Sequence, residues 1–159
     1  MGGLFGHAVR FGAAGDVLAA GEGIETILSL RCALPALPMA AALSANHLAA
    51  LQFPPALRRL YIARDADAAG DTAVAALTER AKAAGIEALV LSPQFGDFNE
   101  DLRAFGVGAV RASVRVQLGP QDAVASYAGE RPGRGDRSRH PVADSQGLQE
   151  GHKVLILLP

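Results

Sequence analysis

The 159-residue chain has one cysteine, no tryptophan and few aromatic residues of any kind. A single cysteine excludes an internal disulfide, and it also excludes a zinc module built from several cysteines. The formal net charge of −1 excludes a generally basic protein that coats nucleic acid by neutralising phosphates over its whole surface. No apolar run approaches the roughly 20 residues of a membrane span, and no signal-peptide core is present, so we expect a cytoplasmic protein without a membrane segment.

The charge that is present is unevenly distributed. Residues 16–101 contain eleven acidic and six basic residues, a net charge of −5, whereas the chain from Leu102 onward carries +3. An acidic body followed by a basic end is typical of a protein that binds a cation in its body and contacts phosphates with its end. Ordinary solvated surfaces are the alternative interpretation.

Apolar periodicity divides the first two thirds of the chain into alternating strands and helices. The predicted strands are 16–20, 39–43, 57–63 and 86–91, and the predicted helices are 24–34, 45–51, 71–84 and 107–118. A further extended segment, Ala8–Phe11, is predicted to pair with the first of these strands across the turn-like Gly12–Gly15. Strands that alternate with helices of this length predict a Rossmann-like α/β fold, a small and mainly parallel sheet flanked by helices.

Composition predicts three parts along the chain. We assign residues 1–15 to an N-terminal extended segment or hairpin, residues 16–118 to the domain, and residues 119–159 to a mostly flexible basic tail. Within the tail, residues 129–151 contain almost no large apolar side chains, a composition typical of disorder. The tail is interpreted either as a solvated linker or as a segment that contacts phosphates, and its apolar end, Val154–Leu158, is suited to docking.

Acidic side chains follow three of the predicted strands. Glu22 comes after the first, Asp65 and Asp67 after the third, and Asp97 after the fourth. Ligands of open α/β sheets bind beyond the carboxyl ends of the strands, where these side chains are expected to lie. Carboxylates brought together there repel one another unless a cation neutralises them, and hard oxygen ligands select Mg²⁺ or Mn²⁺.

Each of these segments has a structural alternative. The Asp65-x-Asp67 pair is also the pattern of a turn that caps a helix, in which case its carboxylates bond backbone amides. Arg64, which precedes the pair, is placed either to contact a substrate phosphate or to neutralise the aspartates. Gly70 is predicted to allow a tight turn into the next helix, and Gly23 leaves the backbone beside Glu22 uncrowded.

Four separated segments together resemble a known family. Glu-Gly after a first strand and Asp-x-Asp-x-x-Gly after a later one look like the Toprim domain of primases, topoisomerases and related nucleases. The resemblance is closer to the Toprim domain of plasmid- and phage-type primases and primase-helicases, and it spans about Val17–Leu102. The segments that carry it are Gly21–Thr26, Ala42–Ala45, Asp65–Gly70 and Gly96–Leu102.

The resemblance implies a Toprim fold and a divalent-metal site that acts in phosphoryl or nucleotidyl transfer on DNA. Glu22 takes the position of the family glutamate, a general acid or base, while Asp65 and Asp67 take those of the metal ligands. Asp97 lies where primase-like members place a further acidic group. The implied cofactor is Mg²⁺ or Mn²⁺, and DNA and nucleotides are the implied partners. The residues we expect to contact the substrate are Gly23, Arg64, Gly70 and Asn99.

The chain departs from a complete primase in two respects. Its single cysteine, Cys32, cannot form a zinc module for template recognition, and no Gly-x-x-x-x-Gly-Lys-Ser/Thr phosphate loop is present. We therefore expect a Toprim unit of a larger replication protein, whose primase core, zinc-binding or helicase domains lie elsewhere. A stand-alone Toprim nuclease and a non-catalytic scaffold that binds DNA or a partner are the alternatives. A haloacid-dehalogenase-like phosphatase is disfavoured, because Ala69 stands where such enzymes have Thr or Val.

Overall fold

The computed structural model describes residues 6–123, which form five strands and four helices in a βαβ-rich order. In chain order the elements are β1 Val9–Phe11, β2 Val17–Gly21, α1 Ile24–Ala33, β3 Met39–Ala41, α2 Ala45–Ala49, β4 Arg59–Ala63, α3 Ala68–Ala83, β5 Glu87–Leu91 and α4 Phe98–Arg115. Within these residues no helix is both long and apolar enough to cross a membrane.

The five strands form one sheet in the order β1-β3-β2-β4-β5. All neighbours are parallel except β1, which runs antiparallel to β3 with Val9 opposite Ala41. The segment 8–11 is therefore extended as predicted, but the prediction that it pairs with β2 is wrong. Both hydrogen-bonding edges of β2 are occupied, by β3 and by β4, so the N-terminal strand joins the sheet at the free edge of β3.

Helices cover both faces of the sheet and bury a separate apolar cluster on each. α2 and α3 pack together over one face, where Leu60 and Ile62 of β4 meet Leu77 of α3. α1 and α4 pack over the other face, where Tyr61 meets Ile27 and other apolar side chains. A parallel sheet buried on both sides needs near-continuous apolar strands, which β2 and β4 supply. The predicted α/β class with a small, mainly parallel sheet is confirmed.

An aspartate caps each of the two helices that follow the acidic segments, and α3 begins earlier than periodicity predicted. α3 starts at Ala68 rather than at residue 71, and Asp67 caps it by accepting the N–H of Gly70. α4 starts at Phe98 with Asp97 as its cap, and it is interrupted at Gly106, whose backbone angles are not helical, so the helix predicted from residue 107 corresponds to its second part. A capping side chain satisfies an otherwise unpaired N–H of the first turn, so the acidic segments lead directly into helices.

The first residues of the predicted tail contact the sheet. The N–H of Gly119 donates to the hydroxyl of Tyr61 at 2.8 Å, and Asp122 accepts from Tyr61 at 2.5 Å and from Arg59 at 2.8 Å. The predicted disordered stretch 129–151, the apolar end 154–158 and the first five residues of the N-terminal segment lie outside the described residues.

Candidate metal site at the carboxyl edge of the sheet

Three adjacent strands end at the same level and deliver the acidic residues to one edge. Gly21 of β2 is in register with Ala63 of β4, and Ala63 is in register with Leu91 of β5. Glu22 follows β2 directly and Asp65 follows β4 after one residue, while the loop after β5 leads to Asp97. The structure thus brings the predicted acids to neighbouring positions along one sheet edge.

Asp65 is the electrostatic centre of this edge. Its carboxyl group is half-buried, and burial is the largest of the causes that raise its pKa from 3.8 to about 6. The charges of Glu22 and then Asp97 raise that pKa further, and Asp67 adds a smaller effect. The hydroxyl of Thr26 donates to Oδ1 of Asp65 at 3.3 Å and partly opposes the increase. Glu22, Asp97 and Asp67 are therefore close enough to Asp65 for their charges to act on it.

Asp67 and Asp97 each use one carboxylate oxygen as a helix cap. Oδ1 of Asp67 accepts the N–H of Gly70 at 2.6 Å, and Oδ1 of Asp97 accepts the N–H of Glu100 at 2.7 Å. The capping interpretation of Asp65-x-Asp67 is thus realised at its second member. A carboxylate has two oxygens, so a cap with one oxygen leaves the other for a cation.

The chemistry of this edge fits a hard divalent cation. The donors are carboxylate oxygens, and their mutual repulsion at Asp65 is what a bound cation would relieve. Among residues 6–123, however, no group of three acidic, histidine or cysteine side chains already converges on one point. Mg²⁺ or Mn²⁺ therefore fits the donor set, and side-chain rotation would have to bring the oxygens together.

Gly70 is required by a close approach of two backbone segments. A Cβ atom at this position would lie 2.3 Å from the carbonyl oxygen of Asp65, which is far inside van der Waals contact. The residue lies within the first turn of α3 rather than in a turn before it, which corrects the predicted reason for the glycine. Gly23 is the N-cap residue of α1, where a Cβ atom would lie 3.3 Å from Oγ1 of Thr26.

Arg64 is engaged by a neighbour on α3. Its Nε donates to Oδ1 of Asp71 at 2.5 Å, and this pair lowers the pKa of the Asp71 carboxyl group. The arginine therefore neutralises an acid of the helix that follows the Asp-x-Asp turn, while its side chain stays partly exposed. Asn99 is half-buried in the first turn of α4.

Two residues at this edge have roles that sequence reasoning missed. Thr26 is buried and bonds Asp65, and its signal was its place three residues after Gly23, in the first turn of a helix. Asp101 is only 2 % exposed, and its carboxylate accepts the N–H groups of Gln94 and Phe95 at 2.8 and 2.9 Å. Its signal was its position beside apolar residues on the buried face of α4.

An α/β sheet with acidic residues at the carboxyl edge of its parallel strands defines a class of domains built for ligands at that edge. A family model described as the Toprim domain matches residues 17–108, and the chain belongs to this family. The resemblance drawn from four sequence segments is confirmed at this level.

Two of the solved structures that are similar to this chain are of primases. One is a DNA primase domain from Pseudomonas aeruginosa, at 23% identity and a TM-score of 0.46, covering 64% of this chain and 33% of that one. The other is the Aquifex aeolicus primase, zinc-binding and RNA polymerase domains, at 23% identity and a TM-score of 0.43, covering 65% and 26%. The chain thus spans about a third of the length of the Pseudomonas aeruginosa structure and about a quarter of the length of the Aquifex aeolicus structure. No curated protein matches it.

Proposed function

We propose that this Toprim domain catalyses Mg²⁺- or Mn²⁺-dependent nucleotidyl or phosphoryl transfer on DNA, as the Toprim part of a primase-type replication protein. The observation that carries the proposal is the environment of Asp65, a half-buried carboxylate whose pKa is raised to about 6 by burial and by Glu22, Asp97 and Asp67. Grouping acids is unfavourable for folding, and no base is among the groups that shift the pKa of Asp65, so such an environment indicates a functional site.

In this proposal Asp65, Asp67 and Asp97 hold the cation. A divalent metal supplies charge neutralisation on phosphate oxygens, and phosphoryl transfer depends mainly on that effect and on positioning. Asp65 is oriented for its role by the hydroxyl of Thr26, and the cap at Asp67 fixes that aspartate against Gly70. The helix caps thus set the directions of two of the three proposed ligands.

Glu22 is the proposed general acid or base, and its backbone is held firmly. Its carbonyl oxygen accepts the N–H of Leu43 at 2.8 Å, and Leu43 adopts a φ of 74°. A branched residue in this left-handed region is strained by about 1 kcal/mol, and such strain concentrates at functional sites. Glu22 would move a proton at its carboxylate to or from the reacting hydroxyl or leaving group.

Substrate contacts are assigned to the residues that rim the acids. Arg64 would turn from Asp71 to a phosphate oxygen, and Asn99 would donate its amide to nucleotide oxygens. Gly23 and Gly70 keep the backbone on either side of the acids free of side chains. We place the domain in the cytoplasm, in a plasmid- or phage-type primase or primase-helicase whose core, zinc-binding or helicase domains complete the reaction.

Isothermal titration calorimetry with Mg²⁺ and Mn²⁺ tests the metal site directly. We expect the wild-type domain to bind one of these cations with a saturable isotherm, and the double variant Asp65→Ala/Asp67→Ala to lose that binding. Glu79→Ala, which removes an exposed acid from α3, is the matched control and should bind as the wild type does. Equal binding by the wild type and the double variant would contradict the proposal.

One observation favours a second candidate, a non-catalytic Toprim scaffold. Two of the three proposed metal ligands, Asp67 and Asp97, also cap helices. A domain that had lost its activity would keep these aspartates for that structural role. Supplying a primase core domain in trans separates the candidates, since the scaffold predicts DNA binding with no metal-dependent product. A Toprim nuclease would instead cut labelled DNA with no nucleotide present.

A further inference from the structure

Two phenylalanine rings stack on each other at the surface beside the acidic edge. Phe95 in the loop after β5 is 50% exposed, and Phe105 on α4 is 43% exposed. Their ring centroids are 5.0 Å apart with an interplanar angle of 25°. An aromatic pair of this kind is ordinarily buried, so its exposure leaves two flat apolar surfaces available to a ligand.

The backbone that carries Phe95 is unusually well fixed for an exposed loop. The N–H of Phe95 and that of Gln94 bond the buried carboxylate of Asp101, and the N–H of Gly96 bonds Oε2 of Glu100 at 3.0 Å. Burying a carboxylate is costly unless it is well hydrogen-bonded, as it is here. The fold thus uses a buried charge to hold the loop while leaving the phenyl ring in solvent.

Phe105 lies directly before a break in its helix. The next residue, Gly106, has φ 78° and ψ 167°, a conformation that is essentially restricted to glycine. Apart from its chain neighbours and the backbone of its own helix, nothing lies within 4 Å of the place where its Cβ would be, so the glycine is needed for its backbone angles and not to avoid a clash. The helix is therefore interrupted directly after the ring that stacks on Phe95.

The same loop is joined to the proposed metal site. The carbonyl oxygen of Gly96 accepts the N–H of Ala66 at 2.7 Å, and Ala66 lies between Asp65 and Asp67. The next residue in the loop is Asp97. The stacked rings are thus held by the backbone that also fixes the Asp-x-Asp turn, and they are continuous with the edge where phosphates would bind.

We propose that Phe95 and Phe105 form a stacking platform for the bases of single-stranded nucleic acid, whose phosphates lie toward the acidic edge and its cation. The proposal rests on the proposed function and adds residues that contact the polymer's bases. Aromatic rings bind bases of any sequence because every base has a π face. The platform would therefore hold a template or product strand without reading its sequence.

Fluorescence titration with two matched oligonucleotides tests the platform. One carries 2-aminopurine among thymines, and the other has the same length and phosphates but abasic sites in place of the bases. We expect wild-type protein in Mg²⁺ to bind the base-bearing strand about 5- to 10-fold more tightly and to quench 2-aminopurine. The variant Phe95→Leu/Phe105→Leu, which stays apolar, should lose both effects, and Phe95→Trp should keep them.

Magnesium calorimetry on the same proteins separates this proposal from the proposed function. Unchanged Mg²⁺ binding with lost base preference in the leucine variant supports the platform. Equal base preference in the wild type and the leucine variant, or none in either, overturns the platform even where Mg²⁺ binding is intact. Self-association of the wild type, measured by sedimentation and lost in the leucine variant without a change in base preference, also overturns it and assigns the rings to a second copy of the chain.

Discussion

Acidic side chains have different surroundings at the two ends of the parallel strands. At the amino end, Asp122 accepts hydrogen bonds from Arg59 and from Tyr61, and the same arginine also pairs with Glu87. At the carboxyl edge, the Asp65 carboxylate lies near other acids and accepts a hydrogen bond from the hydroxyl of Thr26. Asp122 is thus paired with a base and a hydroxyl, whereas the acids whose charges act on Asp65 raise its pKa.

The largest loss of stability is expected from a substitution that disrupts the close backbone packing at the carboxyl edge. Gly70→Ala places a Cβ 2.3 Å from the carbonyl oxygen of Asp65, so α3 or the Asp-x-Asp turn must shift. We expect a loss of about 3 kcal/mol in the free energy of unfolding, measured by urea denaturation. Gly108→Ala is the matched control, since its Cβ meets nothing within 4 Å apart from its chain neighbours and the backbone of its own helix, and it should stabilise the protein by about 0.5 kcal/mol. A similar outcome for both variants would contradict the close approach.

The next largest loss of stability is expected from replacing Asp122, the acid that bonds both Arg59 and Tyr61 at the amino end. Asp122→Asn leaves the Tyr61 hydroxyl without its carboxylate partner and leaves Arg59 with Glu87 alone, and we expect a loss of about 2 kcal/mol in the free energy of unfolding. The Tyr61 hydroxyl provides a second readout, because burial and Asp122 raise its pKa to about 12. Spectrophotometric titration of the variant should show this pKa nearer its usual value of 10. An unchanged stability and an unchanged tyrosine titration would show that the contact is not formed in solution.

The grouping of acids at the carboxyl edge could be predicted from the sequence. The contacts at the amino end could not, because they join residues that are far apart in the chain. The carboxyl-edge acids follow strands, so topology alone predicts that they gather. The amino-end network joins Arg59 to a residue more than 60 positions later, and no local pattern reports such a contact. The start of α3 was missed because its apolar periodicity begins after the first turn, whereas the cap at Asp67 determines where the helix starts. In α4, periodicity located the part after Gly106 and missed residues 98–105, which begin at the cap of Asp97.

Replacing an aspartate with asparagine should stabilise the protein at the carboxyl edge, at Asp65, although the same replacement at Asp122 of the amino end should destabilise it. Because the pKa of Asp65 is raised to about 6, the folded chain binds its proton more tightly than the unfolded chain. Asp65 therefore favours the folded state below pH 4, and this contribution is lost as the pH rises to 6. Asp65→Asn should then stabilise the protein at pH 7 by about 1 kcal/mol, allowing for solvent screening at a half-exposed group.

Urea denaturation in EDTA at pH 7 and at pH 3.5 measures this effect. The stabilisation by Asp65→Asn should be present at pH 7 and absent at pH 3.5, where the wild-type carboxyl group is protonated. Adding Mg²⁺ at pH 7 should stabilise the wild type and not the variant, since only a ligand of the folded state shifts the equilibrium. If Asp65→Asn destabilised the protein in EDTA at pH 7, Asp65 would stabilise the fold as Asp122 does, and the two ends would not differ in this respect.

The smallest effect shows which pairing at the amino end contributes to stability. Glu87 shares Arg59 with Asp122, but its side chain is 53% exposed, against 18% for Asp122. Exposed ion pairs gain little because water screens them and two long side chains lose freedom, so Glu87→Gln should cost about 0.3 kcal/mol. The same denaturation at 0.5 M salt should bring Glu87→Gln and the wild type together while leaving most of the Asp122→Asn deficit. Equal losses for the two variants would mean that the charge of Arg59 alone, rather than the buried contact to Tyr61, determines stability at this end.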